Sequence, residues 1–282
     1  MKTKLILPMI LSNMLSGVAS AVMIYVSGGN PIWIGAMLAT LPLPFLLMVM
    51  TNVFGVTRTS KSLPINHLLS FAGLGILLYT VSAAGGPEST GDFVAMAMAA
   101  LGVVSLLWYV RVFSPYDREK SAVIIKGEAL PELSFHHLDG SKGTSASFEG
   151  SQTLIVFFRA NWCPFCMNQL KEVLAQADRI AKAGVKVKFI SNQGMERNNE
   201  LAKKLNLPSH FEILQDEDLA AAKTLGIEDI GGAPVGMPGY PADTVMATVI
   251  ALDEAGKVIF GDETDNYRVR PHPDTFLHVF ED

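Results

Sequence analysis

The sequence predicts two regions of different class: an all-α region of four membrane-crossing helices, followed by an α/β domain with a central mixed sheet flanked by helices. Three observations carry this reading. Of the 282 residues 49% are apolar and the mean hydropathy is +0.31, high for a chain that meets only water. The charge is uneven: residues 1–120 hold seven Lys/Arg against four acids and the rest 15 against 23, so +3 and −8 sum to the formal −5. After residue 126 the long uncharged runs give way to short strand-like and helix-like stretches in alternation. The expected division is a membrane region at 1–113, a linker at 114–126 and the α/β domain at 127–282. The acidic second region argues against nucleic acid as a partner, since its binders present basic surface.

In the first region, residues 5–26 form an uncharged run long enough to cross a hydrocarbon core of about 30 Å. The start resembles an export signal, with Lys2 and Lys4 before the apolar run and Ala19-Ser20-Ala21 as a cleavage-like site. The run continues through Val22 to Val26, so retention is expected. Residues 32–54 make a second span, which Pro42 and Pro44 should kink. Residues 68–84 and 93–110 make the third and fourth, with Arg111 able to snorkel from the last. Gly17 with Ala21, and Ala95 with Ala99, read as helix-packing surfaces.

Lys2, Lys4, Arg58, Lys61, Arg111, Arg118 and Lys120 all fall on one side when four spans are drawn. The alternate loops, 27–31 and 85–92, carry no Lys or Arg. The positive-inside rule then puts both termini in the cytoplasm. The expected localisation is a multi-pass membrane, the cytoplasmic one in a bacterium, with the α/β domain on the cytoplasmic side. The spans contain neither cysteine nor acidic or basic residues, and His67 is the region's one histidine, which leaves anchoring or docking in lipid as its expected role.

In the second region, 127–150 is turn-rich, with Asp139-Gly140 joining a hairpin. Residues 154–158 are a continuous apolar run, as in a strand covered on both faces. A helix begins at Cys163-Pro164 and carries Leu170, Val173, Leu174 and Ala177 at helical spacing. Residues 185–190 alternate as a strand, 198–205 read as a helix, 211–214 as a strand and 219–225 as a helix. Residues 227–243 are a loop rich in Gly and Pro (Gly231, Gly232, Pro234, Gly236, Pro238, Gly239, Pro241), usually a surface excursion, though it could cover the active site. Strands at 244–252 and 257–260 close through Glu254-Ala255-Gly256, and 273–280 is the last helix.

Chemistry concentrates on Cys163-Pro164-Phe165-Cys166, which holds the chain's two cysteines. Strand, then C-x-x-C, then helix is a redox signature. A structural zinc site needs about four N/S ligands, and no second cysteine pair exists, while His136-His137 lies in a separate turn-rich segment. Inert core thiols are the remaining alternative. Pro164 suits the first helical position, which leaves Cys163 at the positive end of the helix dipole and makes it the expected nucleophile, with Cys166 resolving. Arg159 could hold a cation near the thiolate, Trp162 should shield the site, and Pro164 should set the redox poise through the turn.

The segment Phe158-Arg-Ala-Asn-Trp-Cys-Pro-Phe-Cys166 resembles the active-site stretch of the alkyl hydroperoxide reductase / thiol-specific antioxidant (AhpC/TSA) family, in its peroxiredoxin-like branch. Gly127-Glu-Ala-Leu-Pro-Glu-Leu133, Leu252-Asp-Glu-Ala-Gly-Lys-Val-Ile-Phe260 and Asp265-Asn-Tyr-Arg-Val-Arg-Pro-His-Pro-Asp-Thr-Phe-Leu277 are similar to that family too. The resemblance covers about 126–282 and implies a thioredoxin-like fold for the redoxin domain. It implies an enzyme, either a thiol-disulfide oxidoreductase or a thiol-dependent peroxidase, with antioxidant activity and no cofactor or metal.

Two departures from the pattern bear on the choice. Enzymes of that fold place a cis-proline before the strand facing the cysteines, as part of a substrate-docking backbone. Here the slot falls on Met246 or Ala247, the expected substrate-binding residues. Peroxidatic sites of the family resemble P-x-x-x-T-x-x-C, and here Cys163 stands in the threonine's place with no proline at the required offset. The leading expectation is a membrane-anchored thiol-disulfide oxidoreductase; the alternatives are a thiol peroxidase using the same cysteines and a non-catalytic adaptor. The implied partners are a protein disulfide or peroxide substrate, a thiol electron donor and membrane lipid.

Overall fold

The computed structural model describes residues 3–235 and 237–281. Lys2, counted among the basic residues above, and Gly236 of the Gly/Pro loop lie outside them. The chain divides into two compact units, 1–115 and 116–282.

In the first unit, helices α1 (Thr3–Val26), α2 (Pro31–Thr40), α3 (Pro64–Ala83) and α4 (Thr90–Trp108) follow one another. Three are long and apolar enough to cross a membrane: Thr3–Val26, Pro64–Ala83 and α4 with its extension, Thr90–Phe113. A fourth arises if Pro31–Thr40 and Pro42–Met50 are one span, bent by 41°. Pro42 and Pro44 cause the bend: each lacks an N–H and its ring clashes with the preceding turn, and the chain relaxes into a π-helix over Phe45–Met50. Small residues set the packing. A side chain at Gly35 would meet the Gly73 carbonyl oxygen at 2.6 Å, so α2 and α3 touch backbone to backbone there. Ala95 and Ala99 are fully buried. Gly17 is closed against Leu41, whereas Ala21 is exposed and packs nothing, so that pair is not one interface. Asn13 donates to Ser105 Oγ at 2.8 Å, a buried polar tie between α1 and α4.

In the second unit the strands are β1 (Ser134–His136), β2 (Lys142–Thr144), β3 (Thr153–Phe157), β4 (Lys186–Ser191), β5 (Phe211–Gln215), β6 (Glu228–Asp229), β7 (Thr244–Val245), β8 (Thr248–Leu252) and β9 (Val258–Asp262). The helices are α5 (Pro164–Leu174), α6 (Ala177–Lys182), α7 (Met195–Leu205), α8 (Ala220–Leu225) and α9 (Pro273–Leu277). Among the described residues the main sheet runs β2-β1-β5-β4-β3-β8-β9. β4 lies parallel to both β3 and β5, and the other pairings are antiparallel. The sheet is therefore mixed. β3 is central and wholly buried, as its uninterrupted apolar run requires. Ile155 and Phe157 meet Ile190, Leu214 and Ile250 in the core.

Three stretches differ from the sequence expectation. Much of 114–126, read as a linker, is part of the second unit's packing. The Arg118 guanidinium pairs with Glu263 at 3.1 Å, Ser121 Oγ donates to the Leu225 carbonyl at 2.5 Å, and Ile124 enters the core. Its polar residues looked solvent-bound because their partners lie more than a hundred positions away. The Gly/Pro loop is closed at its base, where β6 pairs with β7. A two-residue strand leaves too short a pattern to read. The helix expected at 198–205 begins earlier, at Met195.

Candidate active site

The carboxyl ends of β3 and β4 and the amino end of β8 meet at one end of the sheet. The chain leaving β3 is fixed by its backbone. The Phe158 N–H donates to the Ile190 carbonyl at 2.9 Å, and the Arg159 carbonyl accepts from Ser191 Oγ at 3.2 Å and Thr244 Oγ1 at 2.9 Å. Gln193 Oε1 accepts the Asn161 N–H at 2.9 Å, and Gln193 Nε2 donates to Asn198 Oδ1 at 2.8 Å. Cys163 then turns into α5. It is the N-cap, in extended conformation, and Pro164 opens the first turn. Trp162 is half-buried. Cys163 and Cys166 are free thiols, 1% and 0% exposed.

The cation nearest the pair stands at Cys166, not at Cys163, the expected nucleophile. Arg270 Nη2 donates to Cys166 Sγ at 3.4 Å. Burial works to raise the Cys166 thiol, but the hydrogen bond from Cys163, the Arg270 charge, the Arg159 backbone N–H and the Arg159 charge overcome it, and its pKa falls to about 6. Cys163 moves the other way: burial, the hydrogen bond it gives to Cys166 and the neighbouring thiolate hold it well above its ordinary value. A helix-dipole contribution of about 0.3–1 kcal/mol, the basis for choosing Cys163, is smaller than the about 1.5–3 kcal/mol of a hydrogen bond to a charged group. These contacts favour negative charge on Cys166 over Cys163.

Arg159 is buried rather than solvated. Its Nη2 donates to the Gly232 carbonyl and lies 3.5 Å from Asp229 Oδ2. Its guanidinium carbon stands 5.0 Å from the Trp162 ring and 5.1 Å from the Tyr267 ring. Arg159 thus braces the site and adds positive field, while Arg270 touches the sulfur. Tyr116 was not foreseen. Its hydroxyl accepts the Ala247 N–H at 3.1 Å and faces Arg159, Arg270 and Asp229. Burial pushes this phenol up to about 12.

Met246 and Ala247, expected to bind substrate through backbone, have their N–H groups occupied. The Met246 N–H is given to the Ile227 carbonyl at 2.7 Å, and that of Ala247 to Tyr116. The Gly/Pro loop closes over the same end: Gly232 is held by Arg159, and the Tyr240 hydroxyl donates to Asn161 Oδ1. No group of three or more metal-ligating His, Cys, Asp or Glu side chains occurs among the described residues.

Residues 126–260 match the AhpC/TSA family. This stretch is a peroxiredoxin-like thioredoxin fold. The chain is 28% identical over 123 residues to a chloroplastic peroxiredoxin Q of Sedum lineare, covering 43% of this chain and 65% of that one. It is 26% identical over 154 residues to peroxiredoxin Bcp of Escherichia coli strain K12, covering 54% and 92%. Its likeness to the crystal structure of reduced Prx3 from Vibrio vulnificus has a TM-score of 0.48 at 18% identity, over 56% of this chain and 99% of that one. The chain spans 55 to 65% of the length of the chloroplastic relatives.

Arg270 lies in the tail 265–277 that already carried the resemblance. The available signal was an arginine pair, Arg268 and Arg270, in a stretch whose aromatic neighbours imply burial. A buried cation needs an anion, and the sequence gives no distance to one.

Proposed function

We propose that the chain is a membrane-anchored thiol peroxidase in which Cys166 is the peroxidatic residue and Cys163 resolves it. The observation that carries this is the hydrogen bond from the Arg270 guanidinium to Cys166 Sγ. The Cys166 thiolate attacks the terminal oxygen of a hydroperoxide, the O–O bond breaks, and the alkoxide or hydroxide leaves with a proton. Arg270 is placed to donate to the oxygens as charge passes from sulfur onto them. Cys166 becomes a sulfenic acid. The Cys163 thiol, one helical turn away, then attacks Cys166 Sγ and water leaves as the disulfide forms. Peroxide gains two electrons, the dithiol loses two, and an external thiol returns them.

The family match and the peroxiredoxin relatives support peroxide as substrate and a thiol reductant as partner. The occupied N–H groups of Met246 and Ala247 favour this over thiol-disulfide exchange with polypeptides, which need a free backbone edge beside the dithiol. The apolar helices of the first unit support membrane anchoring, and the basic loops support a cytoplasmic domain. The test is peroxide consumption by the full chain in detergent with dithiothreitol. Turnover that Cys166→Ser abolishes is expected; undiminished turnover in Cys166→Ser, or reduction of a disulfide peptide but no peroxide, would refute the proposal.

A further inference from the structure

When a thiolate breaks the O–O bond of a hydroperoxide, the departing alkoxide or hydroxide needs a proton. The guanidinium of Arg270 can stabilise that oxygen by hydrogen bonding but does not give up a proton. The Cys163 thiol directs its hydrogen at Cys166 Sγ and spends it later, when the disulfide forms and water leaves. The proton for the leaving oxygen must come from another group.

Tyr116 carries one that is uncommitted. Its hydroxyl accepts the Ala247 N–H at 3.1 Å, and among the described residues no acceptor takes its own hydrogen. Arg159, Arg270 and Asp229 surround the phenol. Arg270 is also the cation on Cys166 Sγ, so hydroxyl and sulfur share a neighbour. Both guanidinium charges and the Ala247 N–H favour the phenolate, while burial and Asp229 oppose it. At about 12 the phenol keeps its proton at neutral pH, yet it is a stronger acid than water, at about 15.7. Proton transfer from it to hydroxide is downhill. The chain beside Tyr116 is fastened independently of this hydroxyl. Arg118 donates to Thr248 Oγ1 at 3.2 Å and to Glu263 at 3.1 Å, and its backbone N–H donates to Asp265 at 3.1 Å.

From this arrangement we propose that Tyr116 is a catalytic residue, the general acid that protonates the oxygen leaving the hydroperoxide. The proposal rests on the peroxidase reading above. The Cys166 thiolate bonds to the terminal oxygen, which keeps its hydrogen and becomes the sulfenic acid. The O–O bond breaks, its electron pair goes to the other oxygen, and that oxygen takes the Tyr116 proton and departs as alcohol or water. Sulfur loses two electrons and the peroxide gains two. The phenolate, held by Arg159, Arg270 and the Ala247 N–H, regains its proton from water; Tyr116 is half-buried, whereas both thiols are closed off.

The experiment compares the full wild-type chain in detergent with Tyr116→Phe, in single turnovers with hydrogen peroxide and with peracetic acid. Hydrogen peroxide releases hydroxide, which needs the proton; peracetic acid releases acetate, which does not. In Tyr116→Phe the hydrogen peroxide rate should fall by about 10²-fold, and the peracetic acid rate far less, so that the ratio of the two rates drops. A ratio equal to that of the wild type, with both rates falling together or neither falling, would overturn the proposal, because loss of a merely structural bond to Ala247 acts on both substrates alike. A second measurement needs no variant: the wild type should show a larger solvent isotope effect in D2O with hydrogen peroxide than with peracetic acid, and equal effects would overturn the proposal. Consumption of neither substrate by the wild type would refute the peroxidase reading itself, whereas an active wild type with an unchanged ratio in Tyr116→Phe refutes only the role of Tyr116.

Discussion

Arg270 Nη2 lies 3.4 Å from Cys166 Sγ, and this cation acts with the hydrogen bond from Cys163 to lower the Cys166 thiol. Cys163 has the helix terminus; Cys166 has the cation, the Arg159 backbone N–H and the proton of its neighbour. The pair is an acid and its hydrogen-bond donor rather than two equivalent thiols.

The pH dependence of alkylation follows. With a pKa of about 6, Cys166 is protonated at pH 5 and thiolate at pH 7. Its rate with iodoacetamide should rise through pH 6 and level off by pH 7.5, where an ordinary thiol of pKa about 8.5 is still climbing. Cys163 should stay protonated across that range. Peptide mass spectrometry of the singly alkylated protein reads this directly; label on Cys163 with a midpoint near pH 6 would reverse the assignment.

Arg270→Met removes the cation and keeps much of the volume. The Cys166 midpoint should move upward, and peroxide turnover should fall by about 10²-fold, the loss typical of deleting one donor aimed at developing charge. Arg270→Lys should recover part of both. An Arg270→Met protein with unchanged midpoint and rate would remove Arg270 from the chemistry.

How much of this was legible in the sequence depends on the range of each signal. β3 and α5 could be read because their apolar patterns are local and long, and Pro164 marks the helix start. The dithiol could be read because C-x-x-C sits between them. Arg270 and Tyr116 could not be assigned, since what places them at the site is proximity across more than a hundred positions. The case for Cys166 was hidden for the same reason: the dipole beside Cys163 is visible from the sequence, whereas the cation beside Cys166 is brought in by the tail. Residues 116–126 looked like a linker because Glu263 and Leu225, which hold them, are remote in the chain.

The Tyr240–Asn161 bond closes the Gly/Pro loop over thiols that have almost no exposure. Tyr240→Phe should weaken that closure by about 1 kcal/mol, about fivefold in the open fraction. Alkylation of Cys166 at pH 8, where its ionisation is complete, should quicken by a similar factor without a change in midpoint. An unaltered rate would mean that reagents reach the thiols by another path.

The side of the membrane can be tested with an introduced cysteine, because the native pair is buried. Lys182→Cys in the Cys163→Ser, Cys166→Ser background should resist a membrane-impermeant maleimide in intact cells and react after permeabilisation. Reaction before permeabilisation would place the domain outside, against the distribution of basic residues. A cytoplasmic domain would keep its dithiol reduced between turnovers.

The most direct test of the account is a single turnover with one equivalent of hydrogen peroxide in the presence of dimedone, comparing Cys163→Ser with Cys166→Ser. Cys163→Ser should consume the peroxide and carry dimedone on Cys166, as a sulfenic acid with no partner to resolve it, while Cys166→Ser should leave the peroxide untouched. Rapid consumption by Cys166→Ser, with the label on Cys163, would contradict it.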